Sequence, residues 1–175
     1  MNPHVVDANV MNSFQRERLH EDDTVASEAI AHATTDNYIV LDEGGQCQQE
    51  WLDCAGGSYP LHLQDWLADM MVTQQIRLAR LCADSMHKEL NNLGIPKKDH
   101  KWVRLAIGSS SNIILTDDID LFDPTKKNSS SSNIANIKAK CAGPVSKYLK
   151  KRHGICVATP TWFVRNKGNE EAVDT

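Results

Sequence analysis

The chain has 175 residues, 41% hydrophobic and 24% charged, which suits one globular domain with a sizeable core. No apolar run approaches the roughly 18 residues of a membrane span, and the first ten residues lack the basic-then-apolar order of a signal peptide, so a cytoplasmic protein without membrane attachment is expected. The net charge of −4 is uneven: residues 1–75 hold 13 acids and 2 bases, whereas residues 76–175 hold 10 acids and 17 bases, a half able to attract a polyanion.

His4-Val5-Val6 predicts a short strand that ends on Asp7. Asp22-Asp23-Thr24 predicts the cap of a helix through Val25, Ala29 and Ile30. Tyr38-Ile39-Val40-Leu41, β-branched and aromatic, predicts a second strand ending at Asp42. Gly44-Gly45 turns the chain into a helix carrying Gln49, Glu50, Trp51 and Leu52, and the Gly56–Pro60 stretch breaks it. Residues 61–93 read as helical with a break near Thr73, because Leu63, Trp66, Leu67 and Met70, then Leu78, Leu81, Cys82 and Met86, recur at helical spacing. Gly94-Ile95-Pro96 ends that segment, and a helix from about Lys98 presents Trp102, Val103, Ala106 and Ile107. Ile113-Ile114-Leu115 is the third predicted strand. Asn128 to Asn133 reads as a mobile polar loop, and Ile134 to His153 as a helix broken at Gly143-Pro144. Ile155 to Thr159 is the fourth strand. The expected organisation is a single domain over 1–167 with a disordered polar tail over 168–175. Strands alternating with helices predict an α/β fold whose parallel sheet is covered on both faces.

Five cysteines at irregular spacing, with no CxxC, suggest neither a disulfide framework nor a zinc site. There is no GxGxxG and no GxxxxGK[ST], so a phosphate cradle of those kinds is absent from the sequence. What stands out is acid at strand ends: Asp7, Asp42, and four aspartates in seven residues at Asp117, Asp118, Asp120 and Asp123. Like charges this close raise one another's pKa unless water or a cation separates them. In parallel sheets, ligands bind beyond the carboxyl ends of the strands, where acids distant in sequence can converge. Glu50 and Asp99, early in helices, are candidates to join them. Asp123, before Pro124, reads as a turn residue. Such a cluster suits Mg²⁺ or Mn²⁺, and two ions about 4 Å apart can activate water for phosphodiester cleavage.

At this point the residues resemble the PIN-domain nucleases. Val5-Val6-Asp7-Ala8-Asn9-Val10 is similar to their opening strand, and Ile114-Leu115-Thr116-Asp117-Asp118-Ile119-Asp120-Leu121-Phe122 to their late strand. Asp42-Glu43-Gly44-Gly45-Gln46 through Glu50-Trp51 resembles the segment carrying the family's glutamate. Lys98 to Ala106 resembles the helix start carrying its middle aspartate, and Ile155 to Pro160 its last strand. The resemblance implies a three-layer α/β/α fold around a mainly parallel sheet of four to five strands. It implies a Mg²⁺ or Mn²⁺ site of Asp7, Glu50, Asp99 and Asp118, with Asp120 as an auxiliary acid. Glu43 competes with Glu50 for the glutamate. Asn9 and Thr116 would position water or phosphate, and Lys98, Lys101 and Arg104, beside Asp99, would meet a nucleic-acid backbone. The implied activity is endonucleolytic hydrolysis, preferably of RNA, in a toxin–antitoxin pair, in RNA processing or in defence. A protein regulator of antitoxin type and a homo-oligomer are compatible partners. The competing readings are a catalytically silent PIN-like module that binds RNA or protein, and a metal-dependent phosphatase or a receiver domain, the receiver wanting a lysine just after a late strand, where no convincing one is present.

Overall fold

A computed structural model describes residues 1–20, 24–54 and 60–166. The predicted tail over 168–175, the residues Asp22 and Asp23, and most of the Gly56–Pro60 break lie outside these residues.

The chain begins with β1 (Pro3–Val6), whose proline occupies the first strand position, where a missing N–H costs least. α1 (Ala8–His20) follows at once, with the Asp7 carbonyl accepting from the amides of Val10 and Met11. α2 (Val25–Thr35) is capped from α1: the Glu17 carboxylate accepts from the backbone N–H of Ala26 at 2.9 Å and of Ser27 at 2.6 Å. β2 (Tyr38–Asp42) leads to α3 (Gln46–Cys54) through a turn at Gly45, whose φ is +74°. α4 (Pro60–Val72), β3 (Ile76–Ala79), α5 (Met86–Asn92), α6 (His100–Ser109) and β4 (Ile113–Leu115) come next. α7 (Ser131–Lys140), α8 (Pro144–His153), β5 (Cys156–Ala158) and α9 (Pro160–Arg165) complete the described chain.

All five strands are parallel, in the order β3-β2-β1-β4-β5, with helices on both faces in a three-layer α/β/α arrangement. β4 is wholly buried between β1 and β5, which is why Ile113-Ile114-Leu115 reads as an unbroken apolar run. α6 spans the sheet, touching β1, β2, β3 and β4, and buries Trp102, Val103, Leu105 and Ala106. No helix among the described residues is long and apolar enough to cross a membrane.

Two predicted elements are corrected. Residues 61–93 are not one broken helix: α4 does end before Thr73, but 76–79 form the edge strand β3, paired along its length with β2. Leu78, counted as a helical core position, is 55% exposed there. Ladder hydrogen bonding at a sheet edge overrides a helical spacing that no core supports. The serine-rich stretch is not simply a loop either. Ser130 caps α7, its hydroxyl accepting from the Asn133 amide, and Ser131, Ser132 and Asn133 lie within the helix. The break at Gly143-Pro144 is present, between α7 and α8. The helix placed from Lys98 starts as a 3-10 turn over Lys97–Asp99 and becomes α6 at His100.

Gly143 locks the loop after β4 against α8. A Cβ there would stand 2.1 Å from the Phe122 carbonyl oxygen, an atom that also accepts from the Val145 amide at 3.0 Å. Gly143→Ala must move backbone rather than a side chain, and urea unfolding is expected to show a loss of about 3 kcal/mol.

Candidate functional site

In the order β3-β2-β1-β4-β5 the order of strand addition reverses between β1 and β4, the crevice where parallel sheets bind ligands. Three acids reach that crevice from adjacent positions. Asp7 follows β1. Asp118 and Asp120 follow β4, in a 3-10 turn over Ile119–Leu121 that the Asp118 carboxylate caps by accepting from the Asp120 amide at 2.9 Å. Asp99 comes from across the sheet, at the start of α6.

Asp99, Asp118 and Asp120 each bring a carboxylate oxygen within 4.8 Å of the others. Asp99 and Asp120 are 3% and 1% exposed, and each keeps one buried carboxylate oxygen without a hydrogen-bond partner. A buried charged oxygen left unpaired is costly, and a cation bound between the carboxylates removes that cost. The donors are all hard oxygens, the set that Mg²⁺ and Mn²⁺ take.

Asp7 lies beside this trio rather than within it. Its Oδ2 accepts from Thr116 Oγ1 at 2.7 Å and from Asn9 Nδ2 at 2.8 Å. Thr116 Oγ1 in turn accepts from the Asp118 amide at 2.9 Å, and Asn9 Oδ1 from the Asp117 amide at 3.0 Å. Thr116 and Asn9 thus tie the ends of β1 and β4 into one hydrogen-bonded unit. Burial pushes the Asp7 carboxyl up to about 7; the Thr116 hydrogen bond opposes this, and Asp99, Asp118 and Glu50 add to it. Asp99 is raised to about 6, again chiefly by burial, with Lys98 pulling it down and Asp118, Asp120 and Glu50 pushing it up. Mutual repulsion, the cause expected from the sequence, is real but second to desolvation.

Of the two candidate glutamates, Glu50 is the one beside the cluster. It faces the crevice, contributes to the electrostatics of Asp7 and Asp99, and forms an ion pair with Lys101. Glu43 points elsewhere, to Arg80 at 3.1 Å. Trp51 explains the placement: its indole N–H donates to the Val6 carbonyl at 3.0 Å, fixing α3 to the end of β1 one residue before Asp7. An open groove of about 640 Å³ lined by Gly44, Gln46, Gln49, Glu50 and Lys98 runs beside it.

Three other residues differ in part from their expected places. Asp42 ends its strand but does not join the cluster; both oxygens cap α3, accepting from the Gln46 amide at 3.0 Å and the Cys47 amide at 2.7 Å. Lys101 is committed to Glu50 and to the Lys98 carbonyl. Arg104 does not face the cluster. Its guanidinium donates to the Cys82 carbonyl at 2.7 and 3.1 Å, to Asp84 at 2.6 Å, and to His87 at 3.1 Å, clamping the segment between β3 and α5. Its spacing from Asp99 put it near the site in sequence, but five residues along a helix turn a side chain well away from the first. Arg104→Lys, which loses the fork, is expected to cost about 2 kcal/mol in chemical unfolding and to leave Mn²⁺ affinity unchanged. Asp123 is the turn residue expected, accepting from the Thr125 amide at 3.1 Å and hydroxyl at 2.6 Å.

One neighbour of the cluster was not singled out from the sequence. Lys127 Nζ donates to Asp120 Oδ2 at 2.6 Å. Its proximity to Asp120, seven residues back, was the available signal, but only the turns through Pro124 bring the two together. Comparisons with family models, curated proteins and solved structures returned no match.

Proposed function

We propose that this chain is a divalent-metal-dependent phosphodiesterase, an endoribonuclease of PIN-like type. The observation that carries the reading is the trio of buried Asp99 and Asp120 with half-buried Asp118, at the crevice between β1 and β4, with unpaired carboxylate oxygens on the two buried members. Asp99, Asp118 and Asp120 would hold Mg²⁺ or Mn²⁺. The ion would acidify the attacking water and offset charge on the phosphate. Asp7, held by Thr116 and Asn9, keeps the end of β1 registered against Asp118. Glu50, steadied by Lys101, borders the groove through which a strand would approach, and Lys98 lines the same groove. Hydrolysis adds the water oxygen to phosphorus and releases the sugar oxygen, leaving a phosphomonoester and a hydroxyl. The preference for RNA rests on the motif resemblance.

The test is cleavage of end-labelled single-stranded RNA and DNA in millimolar Mg²⁺ or Mn²⁺, with EDTA as control. RNA cleaved internally in either ion and spared in EDTA is the expected result. Intact RNA and DNA under all conditions would overturn the proposal.

A further inference from the structure

We infer that the site holds one divalent ion and that the Lys127 ammonium takes the place of a second, as the group that meets the substrate phosphate. The inference rests on the metal-dependent reading above. Asp120 carries it. One carboxylate oxygen is buried without a partner, beside Asp99 and Asp118, while the other accepts from Lys127 Nζ at 2.6 Å. The same carboxylate therefore faces the ion site on one side and a resident cation on the other.

Charge points the same way. Asp99, Asp118 and Asp120, when ionised, sum to −3, which one divalent ion and one ammonium neutralise. A second divalent ion beside Lys127 would leave an excess of positive charge at close range. The neighbouring acids are otherwise engaged, Glu50 with Lys101, Asp117 with Lys138, and Asp7 in hydrogen bonds with Thr116 and Asn9. Asp120 is 1% exposed, but the Lys127 side chain is 56% exposed. An ammonium in that position is anchored on the site and open to solvent, so it can reach a phosphate oxygen without leaving Asp120. The base of the lysine is held by the turn that Asp123 caps and Pro124 opens.

Calorimetric Mn²⁺ titration, paired with RNA cleavage, tests this on the wild type, Lys127→Met and Lys127→Arg. The wild type is expected to bind one Mn²⁺ per chain. Lys127→Met is expected to bind that ion about tenfold more tightly, because a competing positive charge is gone. Its cleavage rate should nevertheless fall by about 100-fold, the scale of losing one donor to a developing oxyanion. Lys127→Arg should stay near the wild type in both measurements. A purely structural lysine would not yield tighter metal binding together with slower turnover. Two ions per wild-type chain, or unchanged or weaker Mn²⁺ affinity in Lys127→Met, would overturn the inference and leave the metal site standing. No Mn²⁺ binding by the wild type would overturn the metal reading itself.

Discussion

Asp118→Asn is expected to abolish metal-dependent RNA cleavage and to leave the fold intact. Asp118 does two jobs with one carboxylate: it presents an oxygen to the trio and caps the turn that carries Asp120. Asparagine keeps an acceptor oxygen for the Asp120 amide, so the turn should survive. What is lost is one formal charge at a site whose proposed ligand is a cation. Losing a supporting partner of a metal site costs roughly 10–100-fold, and losing a direct ligand should cost more. Asp123→Asn is the matched control, five residues on in the same segment. The Asp123 carboxylate accepts within its own turn, from Thr125, and asparagine keeps that acceptor too. Cleavage assays and Mn²⁺ titration of both variants, with circular dichroism to follow the fold, decide the matter. Full activity in Asp118→Asn, or equal losses in the two, would show that the acids after β4 have been assigned wrongly.

Asp7→Asn is expected to stabilise the metal-free protein, and by more as the pH rises. The Asp7 carboxyl is raised from 3.8 to about 7 in the fold. Between those values the folded protein holds a proton that the unfolded chain has released. The stability from this group is therefore fully present below pH 3.8, declines as the pH rises and is exhausted above about 7. Asparagine removes the titration and can still accept from Thr116 and Asn9. His4 acts in the opposite sense. Buried in β1 against Phe163, with both ring nitrogens unpartnered, it is lowered to about 4 and costs stability as the pH falls below 6.5. Asp99 acts in the same sense as Asp7, up to about 6. Both groups are present in wild type and variant, so the difference between the two isolates Asp7. In urea unfolding with EDTA, the advantage of Asp7→Asn should be roughly 3 kcal/mol larger at pH 8 than at pH 5. Parallel stability curves would mean that Asp7 ionises in the fold as it does in water. Millimolar Mn²⁺ should stabilise both proteins, the trio being intact in each, and should narrow the gap because the ion's charge offsets an ionised Asp7.

The fold class was legible in the sequence because its strongest signals are local. Four of the five strands are β-branched or aromatic runs bounded by polar residues, and burial on both faces makes such runs apolar throughout. The turn at Asp123-Pro124 and the break at Gly143-Pro144 follow from backbone chemistry that any context preserves. Acid at the ends of β1 and β4 was equally legible, since a parallel sheet puts those ends on one edge. β3 was not, because an edge strand with exposed Arg77 and Leu78 has no apolar pattern of its own and exists by pairing with β2.

What only the tertiary structure decided is how each charge is used. Asp42, Glu43 and Asp120 are acids near strand ends and Glu50 sits a turn into α3, and nothing in their spacing separates a helix cap from an ion pair or from an oxygen left without a partner. Helix rotation, the Trp51 anchor and the turns after β4 make that separation, over contacts as distant in sequence as Val6 and Trp51. The same holds for the bases. Arg104 and Lys127 differ little as letters, but one is folded into a clamp on the segment after β3 and the other is laid against Asp120. The sequence determined which charges exist and roughly which edge of the sheet they reach. Burial and hydrogen bonding, which depend on all the neighbours at once, decided which of them remain available to a ligand.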